Sequence, residues 1–315
     1  NQIRKNSHSE RIHSAHGFSS SGQKIELNWQ LFTYNSKRLH FDELLFNIVK
    51  NETGTKIMEG ARVTEVADND THMELSIDDG RSVSASVVVG CDGANSVTKK
   101  LVKGNSSTQD VCVAVRAYYS DVEGVTRDIN EFHFFKDLMP GYFWIFPVDE
   151  QVVNVGFGIL QTGKKKELKN LREVLDRITH GNTRISDRFT NSVKQGDTRG
   201  FSLPLYTRKR SISGNRVLLC GDAASLIDPL WGHGIDTAMW SGYIAAQQIV
   251  KGFERDDLSE KALATYDKEV YEKIGSNPSV NTSILKLFNR FPSLLNLFFI
   301  SGRQPAVIRF LSRFA

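Results

Sequence analysis

The sequence predicts an α/β protein in which an α/β domain is interrupted by an inserted β-sheet domain and followed by a helical segment. Two observations predict this fold class. Strand and helix patterns alternate before and after residues 111–160, and that block contains strand patterns alone. The last part of the chain has helical spacing that is interrupted at Pro278, Pro292 and Pro305.

Composition excludes several classes of protein. The chain has 315 residues, 40% of them hydrophobic and 24% charged, which is typical of a globular protein large enough for two modest domains. Its net charge of +4 is too small to indicate nucleic acid as a partner, and its longest apolar run is too short to span a bilayer. Three cysteines form no disulfide framework, which favours a cytoplasmic location. Because Cys91 and Cys220 each end an apolar run, we expect both thiols to be buried.

The elements predicted in order give a division of the chain. Alternating residues predict a β-hairpin over 9–34, apolar spacing predicts a helix over 41–54, and short strands follow up to residue 91. The strand "RVLLC" leads through a glycine-rich stretch into a helix that ends near Val250. The predicted domains are residues 1–105 and 201–255 for the α/β domain, 106–200 for the β-rich domain, which the hairpin 9–34 joins, and 256–315 for the helical segment.

The stretch "GDAASLIDPLWGHGIDTAMWSG", residues 221–242, carries the strongest signal for a ligand site. An acidic residue, Asp222, directly follows a buried strand, at the edge of an open α/β sheet where ligands bind. Gly221 permits a tight turn, and Gly232 and Gly234 allow a flat ring to approach the backbone. The helix that begins near Gly234 directs its positive end towards the ligand.

This stretch resembles the second FAD motif of the glutathione-reductase-like flavoproteins, a Gly-Asp-Ala-Ala string followed by a proline, here Pro229, and Gly-x-Gly. The group includes aromatic hydroxylases, flavin-dependent halogenases and geranylgeranyl reductases. The resemblance implies an FAD-binding Rossmann-like domain of the glutathione-reductase type in which Asp222 holds the ribityl chain. It also implies that residues 232–235, Gly232, His233, Gly234 and Ile235, border the isoalloxazine.

Three further segments resemble elements of the same group. "VVVGCDGANS" is similar to its Asp-Gly motif, so Asp92 and Gly93 would lie near the FAD pyrophosphate. "RLHFDELL" resembles an element in which Arg38 approaches the flavin side of the cofactor, and "RVTEV" resembles a strand whose Val63 contacts the adenine. The order and spacing of these segments together favour a flavoprotein.

The strand "YFWIFP" distinguishes the members of this group. It resembles the geranylgeranyl reductase signature Tyr-x-Trp-x-Phe-Pro, and alternation along a strand places Tyr142, Trp144 and Phe146 on one face. An aromatic wall suits a long apolar isoprenoid, so these three residues are predicted to bind substrate. The alternative is an aromatic strand face that is buried in a core.

The resemblance implies that reduced FAD transfers hydride to a carbon–carbon double bond of a geranylgeranyl or other polyprenyl chain. Such a reaction also needs a proton donor, for which His233 and Tyr142 are the candidates. The electron donor is expected to be NADPH or another reductant such as a reduced ferredoxin. The histidines show no spacing typical of metal ligands, and no metal site is predicted.

The sequence departs from the family at its start, where the Gly-x-Gly-x-x-Gly turn that cradles the FAD pyrophosphate is absent. The predicted FAD-binding domain is therefore N-terminally incomplete, either by loss of a segment or in a truncated relative. Two alternatives to the reductase stay open. One is an FAD-dependent monooxygenase or halogenase, against which the aromatic string argues, and the other is a truncated, non-catalytic paralogue that binds lipid.

The C-terminal tail is basic and apolar. No acidic residue occurs from position 281 to the end, where the cationic residues are Lys286, Arg290, Arg303, Arg309 and Arg313. We expect this tail either to make a peripheral contact with an anionic membrane or to cap the substrate site.

Overall fold

A computed structural model of the chain describes residues 9–104, 110–139, 141–160, 170–181, 183–275, 278–291, 294 and 299. The strands are β1 (Ser9–Phe18), β2 (Lys24–Ser36), β3 (Val63–Asp68), β4 (Met73–Ile77), β5 (Ser82–Ala85), β6 (Val88–Gly90), β7 (Val111–Ser120), β8 (Ile129–His133), β9 (Tyr142–Pro147), β10 (Val152–Leu160), β11 (Val193–Pro204), β12 (Ser213–Gly214) and β13 (Val217–Leu219). The helices are α1 (Arg38–Glu52), α2 (Leu171–His180), α3 (Ile235–Glu254), α4 (Glu260–Leu263), α5 (Thr265–Ile274) and α6 (Pro278–Arg290). The predicted hairpin and the helix after it are thus confirmed as β1, β2 and α1.

The chain forms two compact units. Unit 1 comprises Asn1–Ile57, Val113–Phe201 and Lys286–Ala315, and unit 2 comprises Met58–Cys112 and Ser202–Leu285. The domain boundaries derived from the sequence stay a prediction.

Unit 1 is built on a seven-stranded sheet with the order β11-β7-β10-β9-β8-β1-β2. The pairs β1–β2, β8–β9 and β9–β10 are antiparallel, whereas β1 and β8 run in parallel. Alternation along the strands turns one face of the sheet towards the core, where Val115, Phe143 and Phe157 pack with Leu175 of α2. The opposite face carries the aromatic side chains described below.

A buried ion pair lies on the core side of this sheet. The Arg188 guanidinium donates to both carboxylate oxygens of Glu131, at 2.6 and 2.9 Å, and His133 Nε2 lies 2.8 Å from Glu131 Oε2. Burial opposes the ionisation of Glu131, but the hydrogen bonds from His133 and Arg188 outweigh it and lower its pKa to about 2. Burial also lowers the pKa of His133, so this imidazole is neutral near pH 7.

Unit 2 has a three-stranded sheet with the order β12-β13-β6 and an antiparallel meander of β3, β4 and β5. In the first sheet β13 and β6 run in parallel, as expected for an α/β domain. Its core contains Leu218, Leu219 and Ile244 of α3, together with Tyr266 of α5. The fully buried Tyr266 hydroxyl donates to the carbonyl oxygen of Leu219 at 2.6 Å, which ties α5 to the central strand.

The two cysteines that end apolar runs differ in exposure. Cys220 is buried, as predicted, but Cys91 is exposed, so its predicted burial is wrong. The reason is that β6 is an edge strand whose alternate residues, Val88 and Gly90, are buried while Val89 is exposed.

Among the described residues, no helix is long and apolar enough to cross a membrane.

Candidate functional site

The polar segments that follow the two parallel strands of unit 2 leave the sheet at the same edge. β6 and β13 pair with Leu219 beside Gly90; Asp92 follows β6, and Asp222 follows β13. Ligands of open α/β sheets bind outside the carboxyl ends of the strands. This edge of unit 2 is therefore the candidate cofactor site.

The turn after β13 requires glycine at its first position. Gly221 has a φ of +56°, and an added Cβ would lie 3.0 Å from the Cβ of Ala238 in α3. A side chain would therefore meet both the strain of the left-handed conformation and the packed helix. Gly221 thus brings the segment that carries Asp222 close to α3.

The Asp92 carboxylate organises the segment after β6. Its Oδ2 accepts hydrogen bonds from the backbone N–H groups of Val97 and Thr98, at 2.8 and 3.1 Å, and from the Thr98 hydroxyl at 3.1 Å. Burial opposes ionisation of this carboxyl, but hydrogen bonds from the Ser96 side chain and the Thr98 backbone outweigh it and lower the pKa of Asp92. Asp92 is therefore charged at neutral pH and holds the shape of the turn.

Lys99 joins the two segments, and sequence reasoning missed it. Its Nζ donates to the hydroxyl of Ser225 at 3.1 Å, and Ser225 has a left-handed φ of +58° at the end of the turn after β13. Burial, with a smaller contribution from the charge of Arg210, lowers the pKa of Lys99 to about 8. The sequence contains Lys99 and Lys100 side by side, and nothing in their spacing shows which of them turns inward.

Asp228 fixes the loop that precedes α3, and it too was missed. Its Oδ1 accepts from the backbone N–H groups of Leu230 and Trp231, each at 2.8 Å, and its Oδ2 accepts from Asn281 Nδ2 at 2.9 Å. The backbone N–H of Asp228 donates to the His233 carbonyl oxygen at 3.0 Å, which closes the loop. The sequence does contain a signal for this role of Asp228, because an aspartate before a proline commonly accepts a hydrogen bond from the backbone N–H two residues later.

The predicted proton donor, His233, forms an ion pair at the start of α3. Its Nδ1 lies 2.9 Å from Asp236 Oδ1, and Gly234 is the N-cap of the helix. The hydrogen bond to Asp236 raises the pKa of His233 against the opposing effect of partial burial, and the same bond lowers the pKa of Asp236. Asp236 therefore favours the protonated imidazole, which is the form that a general acid requires.

The structure distributes the other predicted cofactor residues between the two units. In unit 2, the segments after β6 and β13 contain Asp92, Gly93, Gly221, Asp222, Pro229, Gly232, Gly234 and Ile235. Val63 begins β3 in the meander of the same unit. Arg38 begins α1 in unit 1, where its Nε donates to Asp42 Oδ1 at 3.0 Å. The roles of these residues towards FAD stay predictions.

The edge of unit 2 fits a cofactor that approaches the backbone closely. A Cβ at Gly93 would meet no atom within 4 Å, so the backbone there is open to a ligand. The Lys99 ammonium, which forms no ion pair among the described residues, supplies a positive charge beside the turn. Together with the start of α3, these features suit a cofactor that contains both phosphate groups and a flat ring.

One face of the seven-stranded sheet of unit 1 is aromatic. As predicted, Tyr142, Trp144 and Phe146 of β9 share one side of the strand, while Phe143 is fully buried on the other. Phe132 of β8 makes edge-to-face contacts with Tyr142 and Phe146, at ring distances of 5.3 and 5.1 Å. Trp144 stacks on Phe146 with a ring distance of 6.0 Å. We define the aromatic face by Phe132, Phe134, Tyr142, Trp144 and Phe146.

A glycine on the next strand makes room for the indole of this face. Gly156 of β10 pairs with Trp144, and a Cβ at this position would lie 2.5 Å from the indole ring. The Trp144 Nε1–H donates to Asn154 Oδ1 at 3.1 Å, which fixes the ring over β10.

Phe299, from the C-terminal part of the chain, packs at one end of the aromatic face. Its ring is 1% exposed and lies 5.6 Å from that of Phe134 in an edge-to-face contact. Ile25 of β2 and Met139 complete this small cluster. The basic residues of the tail beyond position 299 lie outside the described residues.

A model of the FAD binding domain family matches residues 11–273, which is most of the chain. The chain belongs to this family of FAD-binding proteins. It is 31% identical over 221 residues to digeranylgeranylglycerophospholipid reductase 2 of Methanopyrus kandleri, a match that covers 69% of this chain and 55% of the relative. The chain spans about half the length of that relative.

Solved structures agree with the fold. A geranylgeranyl bacteriochlorophyll reductase-like protein from Thermoplasma acidophilum superposes with a TM-score of 0.73 at 20% identity, covering 97% of this chain and 83% of that one. The flavin-dependent brominase Bmp2 superposes with a TM-score of 0.76, also at 20% identity, covering 99% and 79%. The predicted α/β fold of an FAD-binding domain is confirmed, and the flavoprotein shares it with both reductase-like proteins and halogenases.

Proposed function

We propose that this flavoprotein is an FAD-dependent reductase of carbon–carbon double bonds in a geranylgeranyl or other polyprenyl substrate. The observation that carries the proposal is the aromatic face, where five rings form a continuous apolar surface on the side of the sheet away from the α2 core. Such a surface offers apolar and π contacts along a chain that contains alkenes. The alternative, an aromatic strand face buried in a core, predicts full burial, whereas Tyr142, Trp144 and Phe146 are each partly exposed.

Bound FAD in its reduced form would supply the hydride, with NADPH or another reductant as the electron donor. The residues of this chain would bind the cofactor at the edge of unit 2, hold the prenyl chain on the aromatic face and deliver a proton. We propose His233 as the donor because Asp236 raises its pKa. The Tyr142 hydroxyl, which lies on the aromatic face itself, is the second candidate.

The test is mass spectrometry of a geranylgeranyl lipid incubated with the FAD-loaded protein and a reductant. Gain of hydrogen pairs is the expected result. Gain of oxygen or halogen would instead support the monooxygenase or halogenase alternative, which shares the fold. No change in the lipid, although the protein binds it, would favour the alternative of a non-catalytic lipid-binding paralogue.

A matched pair of variants tests the aromatic face directly. Trp144→Leu removes the indole that lies over Gly156. We expect about a tenfold loss of affinity for a prenyl substrate, which corresponds to about 1.4 kcal/mol of binding free energy. Arg172→Gln, on the exposed side of α2, is the control and should bind the substrate normally. Equal affinity of Trp144→Leu and the control for the substrate would show that the aromatic face is not part of the substrate site.

The peripheral membrane contact of the C-terminal tail is also a proposal. It depends on the excess of cationic over acidic residues after position 281. Flotation with vesicles that contain anionic lipid should carry the protein upwards, and salt should release it. Protein that stays in the soluble fraction at low salt would contradict the contact.

A further inference from the structure

Two cysteines lie next to each other where the parallel strands β6 and β13 end. The strands pair with Leu219 beside Gly90. The next residues along the two strands, Cys220 and Cys91, therefore lie side by side. The backbone N–H of Cys220 donates to the Gly90 carbonyl oxygen at 2.9 Å, which continues the hydrogen-bond ladder to this pair. Because paired residues of neighbouring strands point to the same side of a sheet, both thiols lie on one side.

The spacing of the two strands suits a disulfide. Neighbouring strands are about 4.8 Å apart, and the Cα atoms of disulfide-bonded cysteines are about 4.4–6.8 Å apart. The two thiol groups are already in contact, because the Cys220 thiol forms a hydrogen bond with the Cys91 sulfur. A covalent bond between the two sulfur atoms therefore requires only a small movement of the side chains.

The two thiols differ in their surroundings. Cys220 is buried, and its Sγ lies 3.3 Å from the buried Tyr266 hydroxyl, whereas Cys91 is exposed. The hydrogen bond from Cys220 lowers the pKa of Cys91 to about 7, against partial burial of its sulfur and the charge of Asp92. The same contact raises the pKa of Cys220. A thiolate that an oxidant can reach, beside a second thiol that stays protonated, is typical of redox-sensing cysteine pairs.

We propose that Cys91 and Cys220 form a reversible disulfide when hydrogen peroxide oxidises the protein. The Cys91 thiolate attacks one oxygen of the peroxide, the O–O bond breaks, and the second oxygen leaves as hydroxide, which takes up the proton that Cys91 had released. The Cys220 sulfur then attacks the sulfenic acid on Cys91, the S–O bond breaks, and the hydroxide leaves as water with the Cys220 proton. Two thiols thus lose two electrons and two protons, and one peroxide becomes two waters. A dithiol reductant reverses the change.

This disulfide would join the two segments of the candidate cofactor site. Cys91 directly precedes Asp92. Cys220 directly precedes Gly221 and Asp222. The bond would therefore restrain both segments together, at the end of the edge strand β6. It is independent of the proposed prenyl substrate, because both cysteines belong to unit 2 and the aromatic face belongs to unit 1.

Oxidation of the native protein followed by peptide mapping tests the pair. The protein is treated with a small excess of hydrogen peroxide, the remaining thiols are alkylated, and tryptic peptides are analysed by mass spectrometry without reduction. We expect peptides 82–99 and 217–251 to be joined and the number of alkylated cysteines to fall from three to one. Dithiothreitol should restore all three. Cys112→Ser is the matched control and should form the same joined peptides.

Two variants separate the roles of the two cysteines. In Cys220→Ala, oxidation of Cys91 should stop at the sulfenic acid, which dimedone traps. In Cys91→Ser, the buried Cys220 should stay reduced, because the oxidant does not reach it. Thermal unfolding shows whether Cys220→Ala, which changes a core residue, is folded, and Cys91→Ser tests the pair at an exposed position.

Three outcomes would overturn the proposal. The first is wild-type protein that keeps three alkylated cysteines, or whose Cys91 is oxidised to the sulfinic acid without joined peptides, since Cys220 would then not react with it. The second is a disulfide that includes Cys112 or links two chains. The third is an equal yield of the joined peptides after oxidation in urea, which would show that the fold does not select this pair.

Discussion

Replacement of Asp228 by alanine should loosen the loop between β13 and α3. In the native loop, Asp228 is 7% exposed, and its carboxylate accepts two backbone N–H groups, from Leu230 and Trp231, and the amide of Asn281. An N–H group that loses its partner costs about 1–3 kcal/mol when water cannot replace it. Since Leu230 and Trp231 are partly exposed, water can reach them in part. The lower end of the range therefore applies, and we expect a total loss of about 2–3 kcal/mol.

Thermal and urea unfolding of three variants measure this loss. A destabilisation of about 2–3 kcal/mol lowers the Tm by roughly 4–12 °C in a domain of about 150–250 residues. Asp228→Asn keeps an acceptor oxygen for both N–H groups and should lose only about 1 kcal/mol, the difference between a charged and a neutral acceptor. Asp176→Ala, on the exposed side of α2, removes a solvent-exposed carboxylate and should leave the Tm nearly unchanged.

The comparison of Asp228→Asn with Asp228→Ala shows whether the two backbone hydrogen bonds stabilise the loop. If Asp228→Asn is as unstable as Asp228→Ala, the negative charge matters and the two backbone hydrogen bonds do not. If Asp228→Ala unfolds at the same temperature as the Asp176→Ala control, the loop does not depend on this side chain. Either result would refute the reasoning.

Three further predictions concern other parts of the molecule. Asp236→Asn should lower the pKa of His233 towards its ordinary value in an NMR titration. In the wild-type protein, the raised pKa of His233 contributes stability that is present below the ordinary histidine pKa and lost as pH rises through the raised one. Arg188→Ala should cost about 3–5 kcal/mol in urea unfolding, because the buried Glu131 carboxylate loses its main partner. The wild-type contribution of Glu131 is present above the ordinary carboxyl pKa and fades as pH falls towards about 2, so Arg188→Ala should move this loss to higher pH. Phe299→Ala should open one end of the aromatic face and shift the preference towards longer prenyl alcohols in competition binding, whereas Phe299→Leu should shift it less; an unchanged preference in both would contradict a role for this ring in chain length.

The sequence predicted the elements whose residues follow a regular period or a dense motif. Tyr142, Trp144 and Phe146 lie on one face because side chains alternate along any strand, whatever packs against it. Gly221 follows the buried strand β13 because a tight turn there needs a residue that adopts a positive φ. Both features could be predicted from a short stretch of sequence, since both depend only on the backbone conformation of neighbouring residues.

The contacts that join distant segments could not be read in this way. Lys99 reaches Ser225, and Asp228 reaches Asn281, only because the fold brings these parts of the chain together. The exposure of Cys91 depends on the place of β6 at the edge of its sheet, which the apolar run before it does not reveal.

The sequence by itself thus determined that this is an FAD-binding α/β protein with an inserted sheet and an aromatic strand, because motif, period and turn chemistry are local properties. Only the tertiary structure decided which charged groups meet. Arg188 and Glu131 are 57 positions apart, and their ion pair forms only because the fold of unit 1 brings the two segments together. Such a contact depends on the packing of the whole unit, which no local pattern in the sequence reveals.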